Sequence, residues 1–98
     1  MQTVISGRHT SLREGEKRVI EEKLQKYAKK LSGLTKTEVV LNVENDRHDI
    51  EIILHVAHSN PLIINASAQD NLAALDVGIQ KMDNLVSKHI GKLQNHHK

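Results

Sequence analysis

The chain has no cysteine, and its only aromatic residue is Tyr27. Without cysteine there is no disulfide and no thiolate metal site, which fits a reducing cytosol. With one aromatic ring the core must be aliphatic, and reading of bases by a sheet of exposed rings is disfavoured. No run of eighteen apolar residues occurs, so no helical membrane span is expected, and Met1 to Thr10 lacks the apolar stretch of a secretory signal. There is no Gly-x-x-x-x-Gly-Lys loop and no nucleophile elbow. Acidic pairs fall where solvated charge is the default. Nothing in the chain marks an enzyme, a cofactor or a membrane partner.

What remains is enough for one domain, spanning 1–98. Ninety-eight residues leave no room for a second core, and the 38% hydrophobic fraction, almost all Leu, Ile, Val and Ala, can fill one. The net charge of +2 is unevenly spread. Ser11 to Leu31 holds seven Lys or Arg against four Glu, Lys36 to Asp70 two against six acidic residues, and Asn71 to Lys98 four Lys against two Asp. Two basic segments flank an acidic one, a polarity that can orient a protein on a polyanion.

Local patterns give the element order β-α-β-β-β-α. Thr3 to Gly7 reads as a short strand. Ser11-Leu12-Arg13-Glu14 has the form of a capping box, and Leu12, Val19, Ile20, Leu24, Tyr27 and Leu31 form a helical stripe, so a helix is expected over 12–31. Gly33 suits the left-handed residue that closes it. Three alternating runs follow: Thr37, Val39, Leu41, Val43; Ile50, Ile52, Leu54, Val56; and Leu62, Ile64, Ala66, Ala68. Asn45-Asp46-Arg47 and Ser59-Asn60-Pro61 read as the turns of an antiparallel meander. Asp70 is placed to cap a second helix over 71–94, with Leu72, Leu75, Ile79, Met82, Val86, Ile90 and Leu93 as its apolar stripe and a frayed tail at 94–98. The fold class is α+β: a four-stranded sheet with two helices on one face, and Glu38, Asn42, Glu44, Asp49, Glu51 and His55 on the wet face.

Lysine carries the candidate chemistry. Lys81, Lys88 and Lys92 lie seven and four apart on the second helix, off the apolar stripe, with Asn84 and Asn95 beside them. Such lysines suit phosphates, because they supply charge without demanding a base sequence, although the same spacing serves an ordinary solvated face. On the first helix Lys23, Lys26 and Lys30 invite the same two readings, with ion pairing to Glu21 and Glu22 as the plainer one. Arg8-His9 follow the first strand in a loop. Of seven histidines, His55 and His58 are three apart on a strand pattern and point to opposite faces, while His96-His97 are adjacent near the terminus. Neither set converges on a metal, and no metal site is assigned.

Taken in order, Ile5-Ser6-Gly7-Arg8-His9, Glu21-Glu22-Lys23-Leu24 and the run from Ala68 to Asp76 resemble the ribosome hibernation-promoting factor family. Lys81-Met82 and Lys88-His89-Ile90-Gly91-Lys92-Leu93 extend the likeness through the last helix. The resemblance implies a fold similar to double-stranded-RNA-binding domains and a cytoplasmic protein lodged on the small ribosomal subunit and its rRNA near the decoding centre. There it would overlap the mRNA and tRNA sites and inhibit translation in stationary phase or stress. The chain is similar to the short form, which lacks an added C-terminal domain and assists ribosome dimerisation alongside a separate ribosome modulation factor, or leaves inactive single ribosomes. On this reading RNA contact falls to Arg8, Lys23, Lys26, Lys30, Lys81, Lys88, His89 and Lys92. The chain departs from the family pattern at Leu72, often Tyr, and at Asn84, Ser87 and Ile90, which tend to be basic or amide residues, so a thinned basic helix is expected. Two rival readings are a general double-stranded-RNA binder and a protein-interaction adaptor using the acidic sheet face.

Overall fold

Period-two alternation of apolar residues builds the sheet. The computed structural model describes the backbone of residues 2–94 and the side chains of residues 2–91. Strands β1 (Gln2–Arg8), β2 (Leu34–Glu44), β3 (Arg47–Val56) and β4 (Leu62–Ala68) lie in that order across one sheet. β2, β3 and β4 form the antiparallel meander expected. The β2–β3 hairpin closes at Asn45-Asp46, with Asn45 at φ 55° and Glu44 opposite Arg47. Asparagine tolerates that left-handed backbone better than most residues. The pairing of β1 is not visible in local pattern: it runs parallel to β2, with Ile5 opposite Val39. A parallel pair needs a crossover, and helical residues supply it.

That crossover is shorter and more articulated than its apolar stripe implies. It comprises α1 (Glu14–Leu24) and α2 (Lys26–Lys30) in place of one helix over 12–31. At Gln25 the backbone stays right-handed, but hydrogen bonds tighten to three-residue spacing, Gln25 N to Glu22 O and Ala28 N to Gln25 O. The cap also falls later than expected. The Glu16 carboxylate accepts from the Arg13 amide at 3.3 Å, so the box is built on Arg13 and Glu16 and not on Ser11 and Glu14. Leu12, ahead of the helix, packs against the margin of the core. Gly33 takes φ 90° after α2, as expected, and its carbonyl accepts from the Ala57 amide at 2.8 Å.

The second long helix, α3 (Asn71–Gln94), is capped as expected, with the Ala73 amide donating to Asp70 Oδ1 at 2.8 Å. Its buried face follows the expected stripe at Leu75, Met82 and Val86, with Ile79 and Ile90 packed at the core margin, and departs from it at Leu72. Ala74, Leu75, Met82 and Val86 are buried, whereas Leu72 is 38% exposed. Gly78 also lies against the sheet. A Cβ there would stand 3.2–3.3 Å from Ile50, Ile52 and Ile64, so the missing side chain lets the helix axis approach the sheet at this point. The helices cover one face of the sheet, where Thr37, Val39, Leu41, Ile50, Ile52, Leu54 and Ile64 meet Ile20, Leu24, Tyr27 and Leu31 in one aliphatic core. No described helix is long and apolar enough to cross a membrane. Leu93 of the expected stripe, the Lys92 side chain, and residues 95–98 of the expected frayed tail with His96-His97 lie outside the described residues and side chains. Gln94 still belongs to the helix.

Candidate nucleic-acid interface

The two helical segments are tied together by charge. Lys23 Nζ lies 2.7 Å from Asp76 Oδ1, and Lys26 Nζ lies 2.8 Å from Asp83 Oδ2. Tyr27, fully buried, donates its hydroxyl to Asp83 Oδ1 at 2.8 Å, and the Lys26 ammonium stands 5.3 Å from the ring centroid. Desolvation pushes the Asp83 carboxyl up, but hydrogen bonds from Lys26 and Tyr27 outweigh it and hold the group below its ordinary range. Burial first, and then the neighbouring Asp83, push the Tyr27 phenol far up. The plainer reading of these lysines placed their partners on Glu21 and Glu22. The partners are instead on α3, 53 and 57 residues away in sequence. Among the described residues the only ion pair within one helix is Lys17 with Glu14, at 3.6 Å.

The opposite flank of α3 carries Lys81 and Lys88, which have no carboxylate partner among the described residues. Lys81 donates to the Asn65 carbonyl of the edge strand β4 at 2.9 Å, a bond that fixes the root of the flank and leaves two ammonium donors open. Lys88 follows two turns later, about 10 Å along the axis, exposed beside exposed Asn84 and Ser87. Ile90 is half-buried at the core margin, so a basic residue there would not join this flank. Lys30 and His89 come together elsewhere, on a cleft of about 440 Å³ where the end of α2 meets the β3–β4 turn and α3. Among the described residues Arg8, Arg18, Lys29, Lys30 and Lys88 make no ion pair.

The uncovered face of the sheet carries carboxylates in slight excess over its cations Lys36, Arg47 and Arg8. Glu38, Glu44, Asp49 and Glu51 lie there as expected, with Val40, Ile53 and Ile63 between them. A hydrogen bond with Lys36, whose ammonium is 2.8 Å away, is the main cause holding Glu38 below the usual carboxylate range. The Ser67 hydroxyl, donating to Asp49 at 2.5 Å, does the same there. Both carboxylates therefore stay ionised at neutral pH. His55 Nε2 is 3.5 Å from Glu38, too long for a well-formed hydrogen bond, and has no hydrogen-bond partner among the described residues. Arg8 and His9 rim a shallow cleft of about 430 Å³ on this same face, with His9 Nδ1 3.0 Å from Asn42 Oδ1.

The candidate residues thus fall into four places. Lys81 and Lys88 share the α3 flank, Lys30 and His89 share the end cleft, Lys23 and Lys26 are paired between helices, and Arg8 lies on the acidic side. His58, Ser32 and Ser59 also line the end cleft and are not among the residues that the sequence assigns to RNA contact. His58 is not on a strand: β3 ends at Val56, and His58 occupies the turn at φ 62°. Asp76 and Asp83 were missed as partners too, although their seven-residue spacing on one helix face was available.

A small α+β binding module, cationic on one helical flank and acidic on its open sheet face, is the class of protein these features define. The same fold occurs in a ribosomal subunit interface protein from Coxiella burnetii, with TM-score 0.83 and 14% identity over 94% of this chain and 100% of that one. It occurs also in the N-terminal domain of Thermus thermophilus Protein Y, with TM-score 0.78 and 19% identity over 88% and 94% of the two chains. The chain belongs to the family described as Sigma 54 modulation protein / S30EA ribosomal protein, whose model matches residues 3–94. It is 30% identical to the Ribosome hibernation promoting factor of Escherichia coli K12 over 98% of this chain and all of that one. It is 30% identical to the protein of that name from Azotobacter vinelandii, over 91% of this chain and 82% of that one. The family is one of ribosome-associated factors and not of enzymes, in line with the reading of the sequence.

Proposed function

We propose that this protein is a ribosome hibernation factor of the cytoplasm, in keeping with its family and its relatives' names. It binds the small ribosomal subunit near the decoding centre, occupies mRNA and tRNA space, and inhibits translation in stationary phase or stress. A separate modulation factor on the same ribosome is the partner alongside which it assists dimerisation.

The observation that carries the reading is the separation of charge between the two faces. RNA presents a dense row of phosphates, and a surface that meets it must bring cations and keep carboxylates away. The α3 flank does so, and the open sheet face does not. We therefore assign phosphate contact to Lys81, Lys88 and Lys92 on α3 and to Lys30 and His89 at its end. Lys23 and Lys26 take a lesser part, since a phosphate there competes with a carboxylate at 2.7–2.8 Å. Arg8, among acidic neighbours, is a separate and weaker contact. The test is sedimentation with purified ribosomal subunits, followed by competition with mRNA and initiator tRNA. Co-sedimentation with the small subunit, reversed by either competitor, is the expected result. Unaltered translation in a purified system at saturating protein would refute the proposal.

A further inference from the structure

The end cleft is formed by two turns and a helix. The Ala57 amide donates to the carbonyl of Gly33, at φ 90°, over 2.8 Å, which locks the α2–β2 turn to the β3–β4 turn. The Ser59 amide returns to Val56 O at 3.2 Å, and His58 between them is held at φ 62°. A left-handed backbone costs a β-carbon residue strain that the surrounding bonds must hold. The consequence is a defined backbone at the lip of the cleft, which carries the exposed His58 side chain.

The lining divides by chemistry. Lys30, His58 and His89 bring one ammonium and two imidazoles, and Ser32 and Ser59 bring hydroxyls. Leu31, Val56 and Ile90 form an apolar wall beside them. Among the described residues no carboxylate lines the cleft, in contrast to the acidic cleft on the sheet. Its volume of about 440 Å³ is in the range of small-molecule sites. A cationic, hydroxyl-bearing side and an apolar side in one cleft match a ligand that joins a phosphate to a flat, partly apolar body.

We propose that this cleft takes one nucleotide of an RNA strand, its phosphate on Lys30, His58 and His89 and its base or sugar against Leu31, Val56 and Ile90. The assignment deepens the ribosomal reading and rests on it for the origin of the strand, while the cleft's own lining specifies the nucleotide. A single splayed nucleotide is a common unit of RNA recognition. The flank of α3 would then carry charge along the backbone, and the cleft would fix the register of the strand.

The test is amide NMR titration of the full chain with uridine 5′-monophosphate, inorganic phosphate, uridine and a uridine hexanucleotide. A second sample carries Lys30→Gln, His58→Asn and His89→Gln together. Asparagine at 58 suits the left-handed backbone, and an unchanged melting curve shows that the fold is kept. The monophosphate should shift Gly33, Ala57, Ser59 and His89 saturably, with affinity about tenfold or more below parent in the triple variant. Phosphate and uridine alone should each bind about tenfold or more weaker, and the hexanucleotide tighter. Shifts confined to other residues, or equal titration of the variant, would overturn the site. Phosphate binding as well as the monophosphate would overturn the nucleotide assignment, and a monophosphate tighter than the hexanucleotide would overturn the strand. Small-subunit pelleting separates the two readings. If the parent pellets and the cleft does not titrate, only the cleft assignment falls. If the parent does not pellet, the ribosomal reading falls and the titration still decides the cleft.

Discussion

Tyr27→Phe isolates the hydrogen bond that joins the helices. The ring is fully buried and phenylalanine keeps its volume, so packing is left nearly unchanged. What is lost is a 2.8 Å hydroxyl-to-carboxylate bond, since the second contact, to Ile79 O at 3.4 Å, is long. Bonds to charged groups contribute about 1.5–3 kcal/mol, and the Asp83 side chain, 35% exposed, keeps some access to water. The expected loss is therefore near the lower bound, about 1.5 kcal/mol at pH 7. For a domain of this size that is about 6–12 °C in Tm. The pH dependence adds a signature. Asp83 is held below its ordinary value of 3.8, so its stabilisation is complete above that value and is lost as pH falls through the lower folded one. The Tyr27 phenol is raised above its ordinary value of 10.0, so its contribution is complete below pH 10.0 and is lost as pH rises beyond. Urea denaturation of parent and variant from pH 3 to 11 should show the alkaline fall in the parent and a much flatter limb in Tyr27→Phe. A variant within about 0.3 kcal/mol of parent at pH 7, with the same alkaline limb, would refute the reasoning.

Asp70→Ala removes the cap of α3 and should cost about 1 kcal/mol by denaturant titration, with an unchanged m-value. Gly78→Leu forces a side chain into Ile50, Ile52 and Ile64 and should cost about 2 kcal/mol or more, read as a lowered Tm. Lys81, Lys88 and Lys92 changed together to Gln should leave circular dichroism and melting as in the parent. At about 1 kcal/mol per phosphate contact, binding to ribosomes should fall about a hundredfold. Parent binding should weaken steeply with salt, with a log–log slope of several units, whereas a flat dependence would favour an adaptor acting through the acidic face.

Period-two runs, turn residues and helix caps are local signals, and they placed β2, β3, β4 and α3 with the Asp70 cap. What stayed hidden is non-local. The parallel partner of β1 depends on where a crossover lands, and no residue in Gln2–Arg8 announces it. Leu72 fits the helical period yet is exposed, while Gly78, which no apolar stripe would pick out, lies against the sheet. The candidate lysines looked alike in spacing. Only the packing of α1 and α2 on α3 shows that Lys23 and Lys26 meet Asp76 and Asp83 while Lys88 meets no carboxylate among the described residues. The end cleft was illegible for the same reason: its residues come from two turns and a helix far apart in sequence.

The absence of cysteine allows the central claim, that the helical flank and not the open sheet face is the main contact with rRNA, to be tested by one measurement. Single cysteines at Ser87, beside Lys88 on the flank, and at Ile63, 49% exposed on the open sheet face, can each carry the same short photo-crosslinker. Both labelled proteins are bound to small subunits, irradiated and assayed for covalent rRNA. Strong crosslinking from position 87 and little from position 63 is the result predicted here. Crosslinking from position 63 alone would contradict it.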